Sequence, residues 1–132
     1  WKTSIMETLA ISVRGHWAQA IMAGTKQFEN RTFKTKHRGR VWVHASLNNK
    51  PIDSSSKRLL RGLVVPYPRG VIVGSVDVFD CVPSTSLNAS NPWVLGPWCW
   101  LLRDPQPLKN PVPCSGQAKF WHVPEDVLPL LQ

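Results

Sequence analysis

Acidic residues are scarce in this chain of 132 residues, in which eight Asp and Glu face sixteen Lys and Arg and give a formal net charge of +8. Cysteine is also scarce: Cys81, Cys99 and Cys114 are odd in number and show no CxxC spacing. This argues against a disulfide framework and a structural zinc site. We therefore expect no metal, no cofactor and a reducing, cytoplasmic compartment. No apolar run approaches the ~18 residues that cross a bilayer, so no membrane association is expected.

The chain has enough length and apolar content for one hydrophobic core. Hydrophobic residues make up 42% of it, and its length suits one domain over residues 1–132, because two cores of half that size would each be marginal. Residues 1–8 are expected to form an N-terminal extension. We expect a monomer without an obligate protein partner.

Positive charge is concentrated in the first half of the chain. Residues 1–69 carry a formal charge of +10, whereas residues 70–132 carry −2. The densest stretch, residues 26–40, holds six cations and a single acid, Glu29. Like charges crowded in this way repel one another, and a polyanion would offset the repulsion. The charge pattern favours nucleic acid as a partner, with an anionic small molecule or a solvated basic loop as alternatives.

Alternating apolar segments predict a mostly β domain with short helices. Strands are expected over residues 9–13, 27–32, 41–46, 70–79, 98–102 and 119–123. Helices are expected over residues 16–23, from 54–56 to 63, and after residue 124. Residues 82–92 are interpreted as a loop and the proline-rich residues 105–113 as a surface connection with little regular structure. Without a βαβ rhythm, these elements favour an α+β arrangement, a small and mostly antiparallel β-barrel flanked by short helices.

The segment between the first helix and the second strand carries the most specific motif. Its residues read Gly24-x-Lys26-x-x-Glu29-x-Arg31, preceded by His16-Trp17-Ala18. Further matches are Arg38-Gly39, His44-Ala45-Ser46, Pro68-Arg69-Gly70, Gly96-Pro97-Trp98-Cys99-Trp100 and Phe120. Together these motifs, over residues 9 to about 124, resemble the ASCH domain, a branch of the PUA-like superfamily. The resemblance implies a PUA-like barrel with an RNA-binding cleft beside it, and some bacterial ASCH proteins are ribonucleases or amidohydrolases acting on acylated cytidine.

Three charged residues of the motif are the first candidates for a ligand site. Gly24 permits a left-handed helix cap, after which the Lys26 ammonium can reach a cleft. Glu29 and Arg31 lie two apart on a strand and so share a face within ion-pair distance. A carboxylate between two cations stays ionised and can orient either cation or accept a hydrogen bond from a base. The alternative is an ion-pair cluster that fixes the mouth of the barrel.

Aromatic and basic residues around this motif predict the rest of a nucleic-acid site. Trp17 and Trp93 are candidates for stacking on an unpaired base, whereas Trp42, Trp98, Trp100 and Trp121 are expected to be buried or half-buried in the core. The residues expected to contact nucleic acid are Arg14, His16, Trp17, Lys26, Arg31, Lys34, Lys36, Arg38, Arg40 and Ser46. His44, on the strand face of Trp42 and Ser46, is a candidate general acid–base if that end opens into the cleft; a surface histidine is the alternative.

The sequence therefore predicts a nucleic-acid-binding domain that uses a basic cleft, with RNA favoured and single-stranded DNA as a second partner. The alternative is a hydrolase, a ribonuclease or an N4-acylcytidine amidohydrolase-like enzyme, with Lys26, Glu29 and His44 as catalytic candidates. In the amidohydrolases that the resemblance brings in, a threonine occupies the position of Glu29 and a later glutamate assists. Residues 81–103 contain no glutamate, and Asp77 and Asp80 are the nearest substitutes. This departure places binding ahead of hydrolysis.

Overall fold

The computed structural model describes residues 7–131 of the chain. Its elements, in chain order, are β1 Leu9–Val13, α1 Gly15–Met22, β2 Phe28–Arg31, β3 Gly39–Ala45, α2 Ser54–Leu59, β4 Val71–Pro83, β5 Trp98–Pro113 and β6 Phe120–His122. Two 3-10 turns lie at Ser84–Ser86 and Leu128–Leu131. Of the extension expected over residues 1–8, residues 1–6 lie outside the described residues.

The six strands form one curled sheet in the order β2-β5-β4-β3-β1-β6. Strands β1 and β3 run parallel and every other neighbouring pair is antiparallel. The sheet curls into a half-barrel, so its two edges approach each other. Phe120 of β6 stacks on Trp100 of β5 with ring centroids 4.9 Å apart, and Arg31 of β2 donates a 3.1 Å hydrogen bond to the carbonyl of Ser12 on β1. The predicted small, mostly antiparallel barrel with short helices is confirmed.

The core fills the concave side of this sheet and positions helix α1. Val41 and Val43 point inward with Ile11 from the parallel neighbour β1, and Ile21 of α1 packs among them. Full burial of such a side chain contributes about 1.5–3 kcal/mol. Trp100 closes this core and is fully buried, whereas Trp42 and Trp98 are half-buried. A second cluster on the opposite face contains Ala10, Ile72, Val112, Trp121, Val123 and Leu131.

The proline-rich residues 105–113 were expected to lack regular structure, and this expectation is wrong. They continue β5 and pair with β4, as in Pro107 with Gly74 and Pro113 with Val71. The other neighbour of β5, the four-residue β2, pairs only with residues 98–101. Beyond residue 102 one side of β5 is therefore a free edge, where the missing N–H of a proline costs no sheet hydrogen bond.

The closing helix expected after Pro124 is a 3-10 turn instead, over Leu128–Leu131. Pro129 has no N–H to donate to the carbonyl of Glu125, so an α-helix cannot continue through it. Helix α2 also ends earlier than expected, at Leu59, and its flanking Asp53 accepts a hydrogen bond from the Ser56 backbone N–H. None of the helices in residues 7–131 is both long enough and apolar enough to cross a membrane.

Candidate functional site

The turn after α1 places Lys26 under the end of the helix. Gly24 takes a φ of 80°, a conformation that suits glycine, and the backbone N–H groups of Thr25 and Lys26 both donate to the carbonyl of Ala20 at 3.0 Å. The Lys26 side chain thereby turns inward, and the residue is only 6% exposed. An ammonium removed from water in this way needs compensating partners.

Glu29 supplies that compensation for Lys26 and also for Arg31. Its Oε1 lies 3.9 Å from Lys26 Nζ and its Oε2 accepts a 2.8 Å hydrogen bond from Arg31 Nε. The two-residue spacing on β2 thus gives the shared face that the sequence predicts. Burial lowers the pKa of Lys26 below its ordinary value, and the Glu29 charge opposes that shift. The Arg31 guanidinium also lies 5.6 Å from the ring centre of the buried Trp100.

Two tryptophans enclose the Lys26 ammonium, which lies 5.2 Å from the ring centre of Trp17 and 5.7 Å from that of Trp93. The two rings meet edge to face with centroids 5.8 Å apart. With Glu29 they line a cavity of about 180 Å³, which we call the base pocket because the sequence predicts that Trp17 and Trp93 stack on an unpaired base. Trp17 and Trp93, the two stacking candidates, therefore share one pocket with the charged motif.

Asn30 holds the loop that carries Trp93, a role that the sequence analysis did not identify. Its side-chain N–H donates to the Trp93 carbonyl at 3.1 Å, and its side-chain oxygen accepts from the backbone N–H groups of Leu95 and Gly96 at 2.9 Å. Asn30 follows Glu29 in β2, so its side chain lies on the opposite face of the strand. An asparagine inside a short strand, where it is disfavoured, is the signal that could have identified it.

A groove of about 340 Å³ adjoins the base pocket and shares Trp17 and Glu29 with it. Arg14, Arg31 and Ser46 line this groove. The predicted site residues that the structure brings together at the pocket and groove are the contacts Arg14, Trp17, Lys26, Arg31 and Ser46 and the catalytic candidate Glu29.

The remaining predicted basic contacts do not line this groove. Arg40 bonds Asp104 at 3.2 Å and Ser75 at 2.8 Å, and Arg38 lies 3.6 Å from Asp80. Arg40 is six strand residues from Ser46, roughly 20 Å at 3.3 Å per residue. Lys34 and Lys36, both exposed, precede it in the β2–β3 connection, with Lys34 Nζ 5.6 Å from the ring centre of Trp98.

His44 is buried, at 2% exposure, on the sheet face opposite the core that packs against α1. Its Nε2 lies 2.6 Å from the Cys114 carbonyl, which can only accept, so Nε2 carries the proton. Nδ1 therefore accepts from the Ser12 hydroxyl at 3.0 Å, and Ser12 Oγ accepts from Trp121 Nε1 at 3.1 Å. Burial lowers the pKa of His44. Both nitrogens are engaged, and His44 does not line the base pocket.

The carboxylates considered as substitutes for a later glutamate also lie outside the base pocket. Asp77 accepts a 2.7 Å hydrogen bond from Arg103, and Asp80 accepts from the Cys81 backbone N–H at 2.8 Å. Glu29 is the one carboxylate among the described residues that line the pocket. Within residues 7–131, no three His, Cys, Asp or Glu side chains come together in a metal-binding arrangement.

The model of the ASCH domain family matches residues 11–113. Activating signal cointegrator 1 is 30% identical in its human form and 29% in its mouse form over 126 residues, which cover 86% of this chain and 22% of each relative. The chain therefore spans less than a quarter of the length of these relatives.

Solved structures of an ASCH protein from Zymomonas mobilis share the fold. A point mutant aligns with a TM-score of 0.58 at 16% identity and covers 96% of this chain and 98% of its own. A second structure aligns with a TM-score of 0.54 at 17% identity and covers 89% and 88%.

Proposed function

The chain belongs to the ASCH domain family, and from this premise we propose that it binds nucleic acid by taking one unpaired base of a single strand into the base pocket. The observation that carries the proposal is the enclosure of Lys26 and Glu29 by Trp17 and Trp93. Aromatic walls offer stacking surfaces to any base. A donor and an acceptor at the end of the pocket supply polar contacts.

The polar groups suit the edge of a nucleobase. The Lys26 ammonium donates only and the Glu29 carboxylate accepts only. A base edge that places a carbonyl or ring nitrogen beside an N–H group matches this pair. Because the Lys26 ammonium now lies against both tryptophan rings, the base enters as that side chain moves toward the carbonyl or ring nitrogen it will contact.

The adjoining groove supports a strand rather than a free base. Arg14 and Arg31 line it beside the pocket, and guanidinium groups donate charge-assisted hydrogen bonds to phosphate oxygens. An extruded base on the pocket side and phosphates on the groove side fit a single strand, because a stacked duplex does not offer its base faces. We propose RNA as the preferred strand and single-stranded DNA as a weaker one.

Binding of labelled single-stranded RNA, single-stranded DNA and duplex, measured by fluorescence anisotropy over a salt series, tests this function. We expect the single strands to bind more tightly than duplex, with log K falling by roughly 0.7 per phosphate neutralised as log salt rises. Trp93→Ala should cost about 1–3 kcal/mol, or 5- to 150-fold in affinity. Lys109→Gln, remote from the pocket, is the control for nonspecific charge. A flat salt response, or a Trp93→Ala variant as tight as the parent chain, would contradict the proposal.

Hydrolysis at the same pocket is a second candidate, and the lowered pKa of Lys26 favours it. Burial raises the fraction of Lys26 that is neutral amine, the form that can act as a base or nucleophile. Incubation with single-stranded RNA and with N4-acetylcytidine at high protein concentration tests this activity. Product that disappears in Lys26→Ala supports it, and no turnover of either substrate excludes it for both.

A further inference from the structure

A further cavity, of about 370 Å³, lies at the start of helix α1. Arg14, Lys50 and Arg69 line it together with His16 and Tyr67, and none of the described residues that line it is acidic. We call it the helix-start cavity. Three cations line the cavity and no described carboxylate lines it, and because like charges repel one another, the cavity is suited to an anion.

Two buried nitrogens at this cavity have no hydrogen-bond partner among the described residues, Nε2 of His16 and Nε of Arg14. His16 is only 4% exposed, and a buried polar group without a partner costs about 1–3 kcal/mol. The Arg14 guanidinium is already fixed by bonds from Nη2 to the carbonyls of Lys50 and Pro51. Its orientation is therefore set before any ligand arrives.

The N-terminal end of α1 adds a further attraction for anions. Arg14 is the residue before the helix, and its side chain does not cap the first-turn N–H groups. The helix dipole places partial positive charge at the same end. Asp53, the carboxylate that interacts with His16 and Arg14, is engaged in capping α2 through Ser55 and Ser56.

Gly15 allows the 66–69 segment, which lines this cavity, to lie against the start of the helix. A Cβ atom at Gly15 would overlap the carbonyl oxygen of Pro68, so only glycine allows the 66–69 segment to form the cavity wall. The cavity also borders the groove. It shares Arg14 and Asn48 with the groove, and the His16 ring lies 4.5 Å from the Trp17 ring that lines the base pocket.

We infer that the helix-start cavity binds a phosphate group of the strand whose base occupies the base pocket. This inference rests on the proposed function and deepens it. The recognised unit is then a base together with a neighbouring backbone phosphate, and a neutral nucleoside lacks half of the contacts. Phosphate oxygens accept from the unpartnered Arg14 and His16 nitrogens and from the first-turn N–H groups of α1, and the Lys50 and Arg69 side chains that line the cavity neutralise the phosphate charge.

Two variants test the phosphate contact. In Lys50→Gln and Arg69→Gln we expect weaker binding of single-stranded RNA and a salt slope of log K reduced by roughly 0.7 for each lost phosphate contact. Lys109→Gln, with the same change in charge, should leave the slope unaltered. In the parent chain, titration of inorganic phosphate at constant ionic strength should move the His16 ring-nitrogen and Gly15–Trp17 amide NMR signals saturably, beyond the effect of chloride.

The outcomes separate this inference from the function it rests on. Strand binding with an unchanged slope in both cavity variants would overturn the phosphate site alone, as would NMR shifts no larger for phosphate than for chloride. Absence of strand binding in the parent chain would overturn the proposed function and this inference with it.

Discussion

Replacing Glu29 with glutamine keeps the shape of the side chain and removes the charge that pairs with the buried Lys26 and the half-buried Arg31. Breaking a buried ion pair costs about 3–5 kcal/mol. We expect the lower end, about 3 kcal/mol, because Arg31 is 17% exposed at its side chain and keeps its bond to the Ser12 carbonyl. With an m-value near 2 kcal/mol/M, a typical value for urea, the unfolding midpoint falls by about 1.5 M.

The matched control is Asp80→Asn, which removes the partner of Arg38 in a pair whose side chains are 44% and 49% exposed. Exposed pairs contribute under about 1 kcal/mol. Urea unfolding followed by tryptophan fluorescence measures both variants at pH 7. A Glu29→Gln loss no larger than that of the control would refute the idea that this carboxylate compensates buried charge.

The pH dependence gives the second half of this prediction. Burial lowers the pKa of folded Lys26 below its ordinary value of 10.5, so between those two values the unfolded chain binds more protons and stability rises with pH. Without the Glu29 charge the pKa of folded Lys26 falls further, and the rise of stability with pH becomes larger. The difference in free energy of unfolding between Glu29→Gln and the parent chain should therefore narrow as pH rises from 7 toward 10. A difference that widens would refute the reasoning.

Three further predictions follow from buried contacts elsewhere in the chain. Gly74→Ala should destabilise the fold by about 1–3 kcal/mol, because a Cβ there would overlap the Gln106 carbonyl oxygen on β5; an unchanged Tm would contradict this overlap. His44→Phe should lower the free energy of unfolding by about 1–3 kcal/mol, because it leaves the Cys114 carbonyl unpaired. Its affinity for single-stranded RNA should stay within twofold of that of the parent chain. Lost affinity at normal stability would instead make His44 part of the site. Burial lowers the pKa of His16 from 6.5 to about 4, so the free energy of unfolding should fall as pH drops from 6.5 to about 4. The fall should be smaller in His16→Gln. If urea unfolding shows the same fall in both chains, His16 is not its origin.

The strands that sequence alone predicts well are those whose alternation is set by one buried face. In β3, Val41, Val43 and Ala45 face the core while Trp42 and His44 face away, as the period of two requires. The continuation of β5 through residues 105–113 could not be predicted in this way. Its prolines are tolerated only because β2 stops short of them, and that is a property of the whole sheet.

The candidate site likewise contains contacts that the sequence predicts and contacts that it does not. The pairing of Glu29 with Arg31 follows from local spacing and was predictable. Trp93 lies against Lys26 because Asn30 holds a loop that is more than sixty residues away along the chain. Arg40 bonds Asp104 because the register of the strands brings them together. Tertiary contacts of this kind leave no local pattern in the sequence.

Strand β2 fixes the number of residues that can separate Gly24 from Arg31, because both of its faces make contacts. Glu29 and Arg31 form the ion-pair cluster from one face, and Asn30 suspends the Trp93 loop from the other. Inserting or deleting a single residue between Gly24 and Glu29 would exchange the two faces, so that the charges and the loop anchor fail together. Length changes should be tolerated in the long β2–β3 connection, where Lys34 and Lys36 are exposed, and not in this turn.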